Sequence, residues 1–535
     1  MSKHLKNIGV VSGLTMVSRV LGLGRDILVT AVFGTSALAS AFYTAFTLPN
    51  LFRRLLGEGA LTAALVPTLS EELKAGDRRG AFQLVNQVAS WLMMITGGIV
   101  LLSIGLLWQV NHLAGLLGSW GASADTLGRL NEAARLAMIL FPYLVMVCMA
   151  AAFSAALQTL HRFIEPALSP IWLNLAMIGL LGGAVYGGWA ATPDGRILWL
   201  CAGALLGGFL QMIVPALALM REGWRPRFMP SASPAVRQIV KLMGPTVFGS
   251  AIYLINMAVA RIVGLSLNDS AVTVLNLATR LMELPIGVFA LAVSTVVFPL
   301  ISKYAAAGDF ENLASAYRKG MRLILVVNVP AAIGLIVLAT PIIRLLFERG
   351  QFQPADTVLM EPVVATYALG LPFLAFVSLI LRAFYAQKDT ATPVRAALLS
   401  FVVNLALSLL LMRPLGTVGL AVAGNVAIVV QAWYLQRALS RGHDGLRFKH
   451  LGRDLFKIMG ASVVMGVMVA LASGAWIALV PASRLTDIAG LACLIGLGIA
   501  LYAGLIWMLQ IEGRKELGEL LVKLRGKLLR GSGPA

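Results

Sequence analysis

The chain has 535 residues, of which 59% are hydrophobic and only 13% are charged, and its formal net charge is +19. Soluble globular proteins are about 45 to 50% apolar, so the composition excludes a soluble protein and predicts an all-α polytopic membrane protein. The basic residues are scattered between apolar segments rather than gathered in one domain. This distribution favours membrane phospholipid over nucleic acid as the partner of the positive charge.

Fourteen apolar segments are long enough to cross roughly 30 Å of hydrocarbon, and we interpret them as transmembrane helices. The first is a membrane helix rather than a cleavable signal, because Arg19, Arg25 and Asp26 interrupt its apolar run. The predicted spans are residues 8–33, 40–69, 82–108, 131–158, 166–188, 197–220, 238–265, 271–301, 318–347, 358–386, 394–412, 417–438, 456–480 and 485–509.

The loops between these spans alternate in charge. One set of alternate loops, which includes both termini, holds nearly all of the loop lysines and arginines. Cytoplasmic loops of membrane proteins carry an excess of positive charge. We therefore expect both termini to lie in the cytoplasm.

The two halves of the chain resemble each other at a nearly constant spacing. Pro67 and Asp77 recur as Pro299 and Asp309, and Asn174-Leu175-Ala176 recurs as Asn404-Leu405-Ala406. The repeat predicts two pseudo-symmetric six-helix lobes plus two extra C-terminal helices. Such halves occur in alternating-access transporters, whose site lies between them; a duplicated channel or structural protein is the alternative. The expected domains are an N-terminal lobe (1–227), a C-terminal lobe (228–445), helices 13 and 14 (446–511) and a basic amphipathic cytoplasmic tail (512–535).

Eight arginines of the predicted spans are singled out, because an arginine at the bilayer centre costs about 2.5 to 3.5 kcal/mol and a functional role is the first hypothesis. Arginines outnumber acidic residues in these spans, so a shared cavity should be net positive. Guanidinium groups bind phosphate oxygens bidentately, which favours an anionic, phosphate-bearing substrate over a cationic drug. The arginines singled out are Arg19, Arg25, Arg53, Arg54, Arg135, Arg261, Arg280 and Arg382, and the acids singled out with them are Asp26, Glu58, Glu283 and Glu361.

Helical spacing predicts different roles for the two arginines of the second span. Arg54 and Glu58 stand four residues apart and can pair on one helix face. Arg53 projects about 100° away from Arg54, so we expect it to lack a partner on its own helix and assign it to substrate. A structural salt bridge is the alternative role for Arg54 and Glu58.

The eighth span matches the second, because Leu48-Pro49 recurs as Leu284-Pro285. Arg280 and Glu283 stand three residues apart there and can pair. The repeat predicts that Arg280 lies across the cavity from Arg53.

In the first span, Arg19 and Arg25 share a face only if Gly22 and Gly24 permit a bend or local unwinding. Neutralisation of Arg25 by Asp26, with Arg25 near the outer interface, is the structural alternative.

Catalytic and metal-binding patterns are missing from the sequence. The three cysteines fall within apolar spans and the five histidines are far apart, so we expect neither a disulfide framework nor a metal site. We find no Walker loop, dinucleotide fingerprint or nucleophile–base constellation. The protein is therefore expected to be neither an enzyme nor a binder of any cofactor.

Four motifs closely resemble the MurJ (MviN) family of bacterial lipid II flippases, within the multidrug/oligosaccharidyl-lipid/polysaccharide exporter superfamily. They are SRVLGLGRD, LPNLFRRLLGEGALTAALVP, RLMELPIGVF and FYAQKDTATPV. The resemblance implies a V-shaped pair of lobes around a cationic cavity, with helices 13 and 14 forming a groove for a polyprenyl tail. It implies transport of the peptidoglycan precursor lipid II to the outer leaflet by alternating access. The expected protein is a monomer in the bacterial inner membrane.

Carried onto matching positions, the resemblance assigns substrate binding to Arg19, Arg25, Arg53 and Arg280. The predicted supporting or gating residues are Asp26, Arg54, Glu58 and Glu283.

The sequence also departs from the family pattern: Ser40, Thr47 and Thr279 stand where many members carry Asp, Lys and Asp. Any coupling mechanism based on those charges is therefore in doubt for this chain. The alternatives are a flippase for another polyprenyl-linked glycan, a cation-coupled drug efflux pump, and a receptor or scaffold.

Overall fold

The computed structural model describes residues 3–56, 60–74, 78–109, 123–387, 389–442, 446, 452–481 and 483–510. Within these ranges the regular secondary structure is helical, which confirms the all-α prediction. The predicted tail, residues 512–535, lies outside the described residues.

Sixteen helices follow one another in the described part of the chain. They are α1 (Lys3–Phe33), α2 (Ala37–Leu56), α3 (Ala60–Lys74), α4 (Arg78–Trp108), α5 (Ala124–Leu140), α6 (Tyr143–Thr159), α7 (Ile164–Tyr186), α8 (Pro193–Arg221), α9 (Pro234–Leu267), α10 (Ala271–Ala306), α11 (Phe310–Val337), α12 (Ala339–Phe347), α13 (Pro354–Ala386), α14 (Ala391–Gly442), α15 (Gly452–Leu479) and α16 (Arg484–Met508). Each predicted span coincides with one or two of them.

Eight helices of the described chain are long and apolar enough to cross a membrane, and the pair α5 and α6, bent by 44°, would make a ninth span. One of the eight, α14, covers two predicted spans and is broken at Gly416, whose φ is 57°. A positive φ is readily adopted by glycine because it lacks a Cβ atom. The protein is thus a multi-pass helical membrane protein, while the number fourteen stays a prediction.

The packing of the chain defines two compact units. The first comprises Met1–Thr273 and Arg349–Gln353, and the second comprises Val274–Glu348 and Pro354–Ala535. In the first unit, α9 packs against α2 and α3, although the repeat assigns α9 to the second lobe. The lobe boundary at residues 227/228 remains a prediction.

Small residues allow the tightest helix packing in the first unit, between α7 and α8. A Cβ atom on Gly203 would lie 2.8 Å from Met177 Cα, and one on Gly207 would lie 2.7 Å from Leu173 Cα. Helices in a bilayer gain little from hydrophobic burial against lipid, so close backbone contact is a main source of their association. These two glycines therefore set the distance between α7 and α8.

Hydroxyl groups within the helices donate to carbonyl groups one turn earlier, as the lack of water in a bilayer core requires. Thr30 donates to Asp26 O, Thr68 to Ala64 O and Ser462 to Ile458 O. Polar side chains in the apolar spans are in this way satisfied without breaking the helix.

In the second unit, α15 and α16 each form a hydrogen bond with α11. The Tyr502 hydroxyl donates to Val326 O at 2.9 Å, and Arg322 Nε donates to Asp454 Oδ2 at 2.8 Å. A hydrophobic cluster that includes Val329, Ile458 and Leu494 surrounds these contacts. The two C-terminal helices are thus held by specific polar bonds as well as by apolar packing.

Candidate functional site

Arg25 and Asp26, in the second half of α1, form a buried polar network. Arg25 is 7% exposed and Asp26 is fully buried. Arg25 Nε and Nη2 donate to Asp26 Oδ1 at 3.0 and 2.7 Å, and Nη1 donates to Asn174 Oδ1 on α7 at 3.1 Å. The pair of Arg25 with Asp26, which the structural alternative predicted, is therefore present, and the Arg25 side chain is buried. The position of Arg25 near the outer interface stays a prediction.

Asn174 joins this network to the preceding turns of α1. Its Nδ2 donates to Ser18 O at 3.2 Å, and a Cβ atom on Gly22 would lie 3.6 Å from that nitrogen. Asn174 was noted in the sequence only as part of the repeat. An amide in an apolar span needs several hydrogen-bond partners when buried, and this was the signal that could have identified it.

Arg19 lies six residues before Arg25 and is exposed. Helix α1 runs from Lys3 to Phe33 and is helical through Gly22 and Gly24, so the unwinding considered at these glycines is not observed. The two arginines occupy different environments in consequence: Arg25 is buried and Arg19 is accessible to a ligand.

Arg53 is half-buried on α2. Its Nε donates to Asn50 Oδ1 at 3.1 Å, and Asn50 Nδ2 donates to Phe46 O at 2.8 Å. The expectation that Arg53 lacks a partner on its own helix is therefore wrong. The partner is a neutral amide three residues earlier rather than an acidic side chain.

A buried tyrosine on α6 joins three helices of the first unit. The Tyr143 hydroxyl donates to Gln211 Oε1 on α8 at 3.1 Å, and its ring centroid is 5.5 Å from that of Phe46 on α2. Side chains of α2, α6 and α8 therefore meet around Tyr143.

Arg280 lies in the second unit and pairs with Glu283, as their spacing predicted. Arg280 Nη1 donates to Glu283 Oε2 at 2.9 Å, and the two side chains are 39% and 52% exposed. Exposed pairs of this kind contribute about 0 to 1 kcal/mol. The arrangement leaves Arg280 accessible to a charged ligand.

The second pair suggested by the sequence, Arg54 with Glu58, cannot be placed, because the Arg54 side chain and the whole of Glu58 lie outside the described residues. In the described ranges, no group of three or more His, Cys, Asp or Glu residues could hold a metal ion.

The three neutral residues at which the sequence was expected to depart from the family pattern are satisfied by local hydrogen bonds. Thr47 and Thr279 donate to carbonyl groups of their own helices, Tyr43 O at 2.6 Å and Leu275 O at 2.8 Å. Ser40 is fully buried, donates to Asp269 O, and accepts from the Thr273 backbone N–H at 3.3 Å. These positions carry no charge that needs a counterion.

A helical multi-pass membrane fold with arginines in its apolar helices fits the class of membrane transporters. The family profile described as "Lipid II flippase MurJ" matches residues 29–489. A probable lipid II flippase MurJ from Rhizobium meliloti is 34% identical over 467 residues, which cover 87% of this chain and 86% of the relative. The chain belongs to the MurJ family.

Solved structures agree with this assignment. The structure titled "Lipid II flippase MurJ, inward closed conformation" gives a TM-score of 0.75 at 26% identity, covering 95% of this chain and 99% of that one. A structure titled as the inward-facing conformation of a multidrug resistance MATE family transporter of the MOP superfamily gives a TM-score of 0.63 at 16% identity, covering 81% of this chain and 98% of the other. The second comparison concerns the fold alone.

Proposed function

We propose that this protein moves lipid II from the cytoplasmic to the outer leaflet of the bacterial inner membrane by alternating access. Family membership over residues 29–489 carries the proposal. Lipid II joins a polyprenyl chain through a pyrophosphate to a disaccharide peptide, and its pyrophosphate needs cationic ligands within the membrane. Arginines in the spans supply them. In this proposal the protein acts as a monomer with both termini in the cytoplasm.

Arg19 and Arg53 are the residues of the first unit that we assign to the pyrophosphate. Arg19 is exposed and Arg53 is half-buried, so both can present guanidinium N–H groups to phosphate oxygens. Arg25 donates to Asp26 and Asn174, and we give it the role of fixing α1 beside these ligands. Arg280 joins the set on the basis of the internal repeat.

The polyprenyl tail is assigned to α15 and α16. These helices expose apolar side chains over much of their length, among them Val463, Val467, Leu471 and Ile499. An apolar helix face of this kind suits a hydrocarbon chain that stays in the membrane while the headgroup crosses.

Complementation of a strain depleted of its own lipid II flippase tests the proposal. The parent protein should restore growth and the appearance of lipid II in the outer leaflet. Arg19→Ala, Arg53→Ala and Arg280→Ala should each abolish both, because each removes a cationic ligand of the pyrophosphate, while the protein still reaches the membrane.

Arg196→Ala is the matched control, since Arg196 donates to Ala190 O in the predicted extracytoplasmic connection between α7 and α8. Full activity of all three site variants would show that the arginines do not bind substrate. If the parent protein fails to complement, but restores a strain that lacks the transporter of another polyprenyl-linked glycan, the substrate assignment is wrong.

A further inference from the structure

The turn between α9 and α10, residues 265–273, is held from two sides within the first compact unit. This segment, which we call the α9–α10 turn, is predicted to lie on the extracytoplasmic side. Helix α2 contacts it through Ser40, and helix α5 contacts it through Arg129. The turn therefore joins elements of the two sequence repeats.

Arg129 makes the larger set of contacts. Its Nε donates to Leu265 O at 2.8 Å, Nη1 donates to Asp269 Oδ1 at 2.9 Å, and Nη2 is 3.4 Å from Ser266 O. A further bond from Nη2 to Thr126 Oγ1 at 3.2 Å orients the guanidinium on its own helix. Three of these four acceptors belong to the turn. The Arg129 side chain is only 11% exposed.

The acceptors explain why an arginine stands here. Leu265 and Ser266 are among the last residues of α9, where carbonyl groups lack intrahelical donors and the helix dipole favours a cation. A guanidinium can reach two carbonyl oxygens and a carboxylate at once, because its five N–H groups form a fixed fork. A lysine ammonium on the same position cannot span them in the same geometry.

The rest of the turn packs against the first unit and is stabilised by its own hydrogen bonds. Leu265 and Val272 are buried in the same hydrophobic cluster as Phe42 of α2 and Ala133 of α5. Asn268 Oδ1 accepts from Ser270 N and Ala271 N, at 3.1 and 2.8 Å, and so satisfies the start of α10. The turn keeps its own shape, and Arg129 supplies an ionic attachment to α5.

We propose that Arg129 is a latch that holds the α9–α10 turn in its docked position and must release it when the extracytoplasmic side opens. The inference rests on the proposed function, since only an alternating-access cycle requires this side to open. Asp269 is 62% exposed, so water can solvate its carboxylate when the turn leaves. The latch is therefore strong enough to bias the docked state and weak enough to open reversibly.

Thiol labelling of Val272→Cys measures the docking directly. Val272 is 1% exposed, so a membrane-impermeant maleimide added to spheroplasts reacts there only when the turn has undocked. Cys493→Ser removes the exposed native thiol, and the same protein without Val272→Cys gives the background rate. Adding Arg129→Gln should raise the labelling rate about tenfold, a factor equal to about 1.4 kcal/mol, which is the scale of charge-assisted hydrogen bonds.

Variants that remove only part of the contacts of Arg129 test whether the change in labelling rate comes from those contacts. Arg129→Lys should give a smaller increase, because it keeps the charge and loses the fork. Asp269→Asn should also give a smaller increase, because the bonds from Arg129 to the carbonyl groups remain. Arg196→Gln, at an arginine in the first turn of α8 whose described bond is to Ala190 O, should leave the rate unchanged.

An unchanged labelling rate in Arg129→Gln, at parental abundance and melting temperature, overturns the proposal. If Arg129→Gln does not accumulate, Asp269→Asn and Asp269→Ala decide the matter, because the exposed Asp269 side chain tolerates replacement; parental labelling in both also overturns it. The labelling needs no lipid II. If Arg129→Gln raises the labelling rate but the parent protein does not complement the depleted strain, the proposed substrate is wrong and the latch stands. If the parent protein complements the strain but Arg129→Gln leaves the labelling rate unchanged, only the latch is wrong.

Discussion

Replacement of Asp26 by asparagine tests whether the buried network of α1 stabilises the first compact unit. The change keeps the shape of the side chain and removes the negative charge that accepts from Arg25 Nε and Nη2. Arg25 is 7% exposed, so water cannot readily replace the lost charge. Breaking a buried ion pair by altering one partner costs about 3 to 5 kcal/mol. We expect Asp26→Asn to lose stability on that scale.

The melting temperature in detergent, followed by gel filtration of the heated protein, measures this loss. Arg25→Met combined with Asp26→Leu removes both charges and should recover much of the stability, since apolar replacement of a whole buried pair is often neutral. Asp194→Asn is the matched control. Asp194 also faces an arginine, with its Oδ1 3.7 Å from Arg135 Nη2, but its side chain is 75% exposed, so water can replace the lost interaction. An Asp26→Asn protein that melts with the parent, or a double variant no more stable than Asp26→Asn, refutes the reasoning.

Two further predictions concern the surface and the packing of the first unit. Hydrogen bonds from Arg162 and Arg78 hold the pKa of Glu222 below its ordinary value. The ionised carboxylate therefore stabilises the fold at any pH above the unfolded pKa of about 4.3. This contribution is lost as the pH falls through the lower pKa of the folded state. The melting temperature of the parent should therefore drop towards that of Glu222→Gln between pH 6 and pH 3; a constant difference contradicts the prediction. Gly203→Ala should cost about 1 to 3 kcal/mol by overpacking against Met177, whereas Gly179→Ala, which meets nothing within 4 Å, should not. Equal melting temperatures for the two variants would show that α7 and α8 can move apart without loss of stability.

Relations between residues close in the chain were predictable where the right partner was considered. The pair of Arg280 with Glu283 follows from their spacing of three residues on a helix. Asn50 likewise stands three residues before Arg53, and its amide oxygen accepts from the guanidinium as a carboxylate oxygen would. Helical spacing therefore predicts this bond as well, provided that neutral acceptors are counted beside acidic ones.

Relations between distant residues were decided by the tertiary structure. Asn174 lies 149 residues from Arg25, and Asp269 lies 140 residues from Arg129. A helix period shows which face a residue occupies, but it does not show which helix packs there. Arg129 looked like an ordinary loop arginine for this reason.

The sequence by itself determined the helical class, the membrane environment and the family. These depend on the length of apolar runs and on motifs, which are properties of neighbouring residues. Only the tertiary structure distinguished the environments of the arginines, because it buries Arg25 against Asp26 and Asn174 and leaves Arg19 exposed. The physical reason is that the burial of a charge depends on the helices packed around it, and these come from distant parts of the chain.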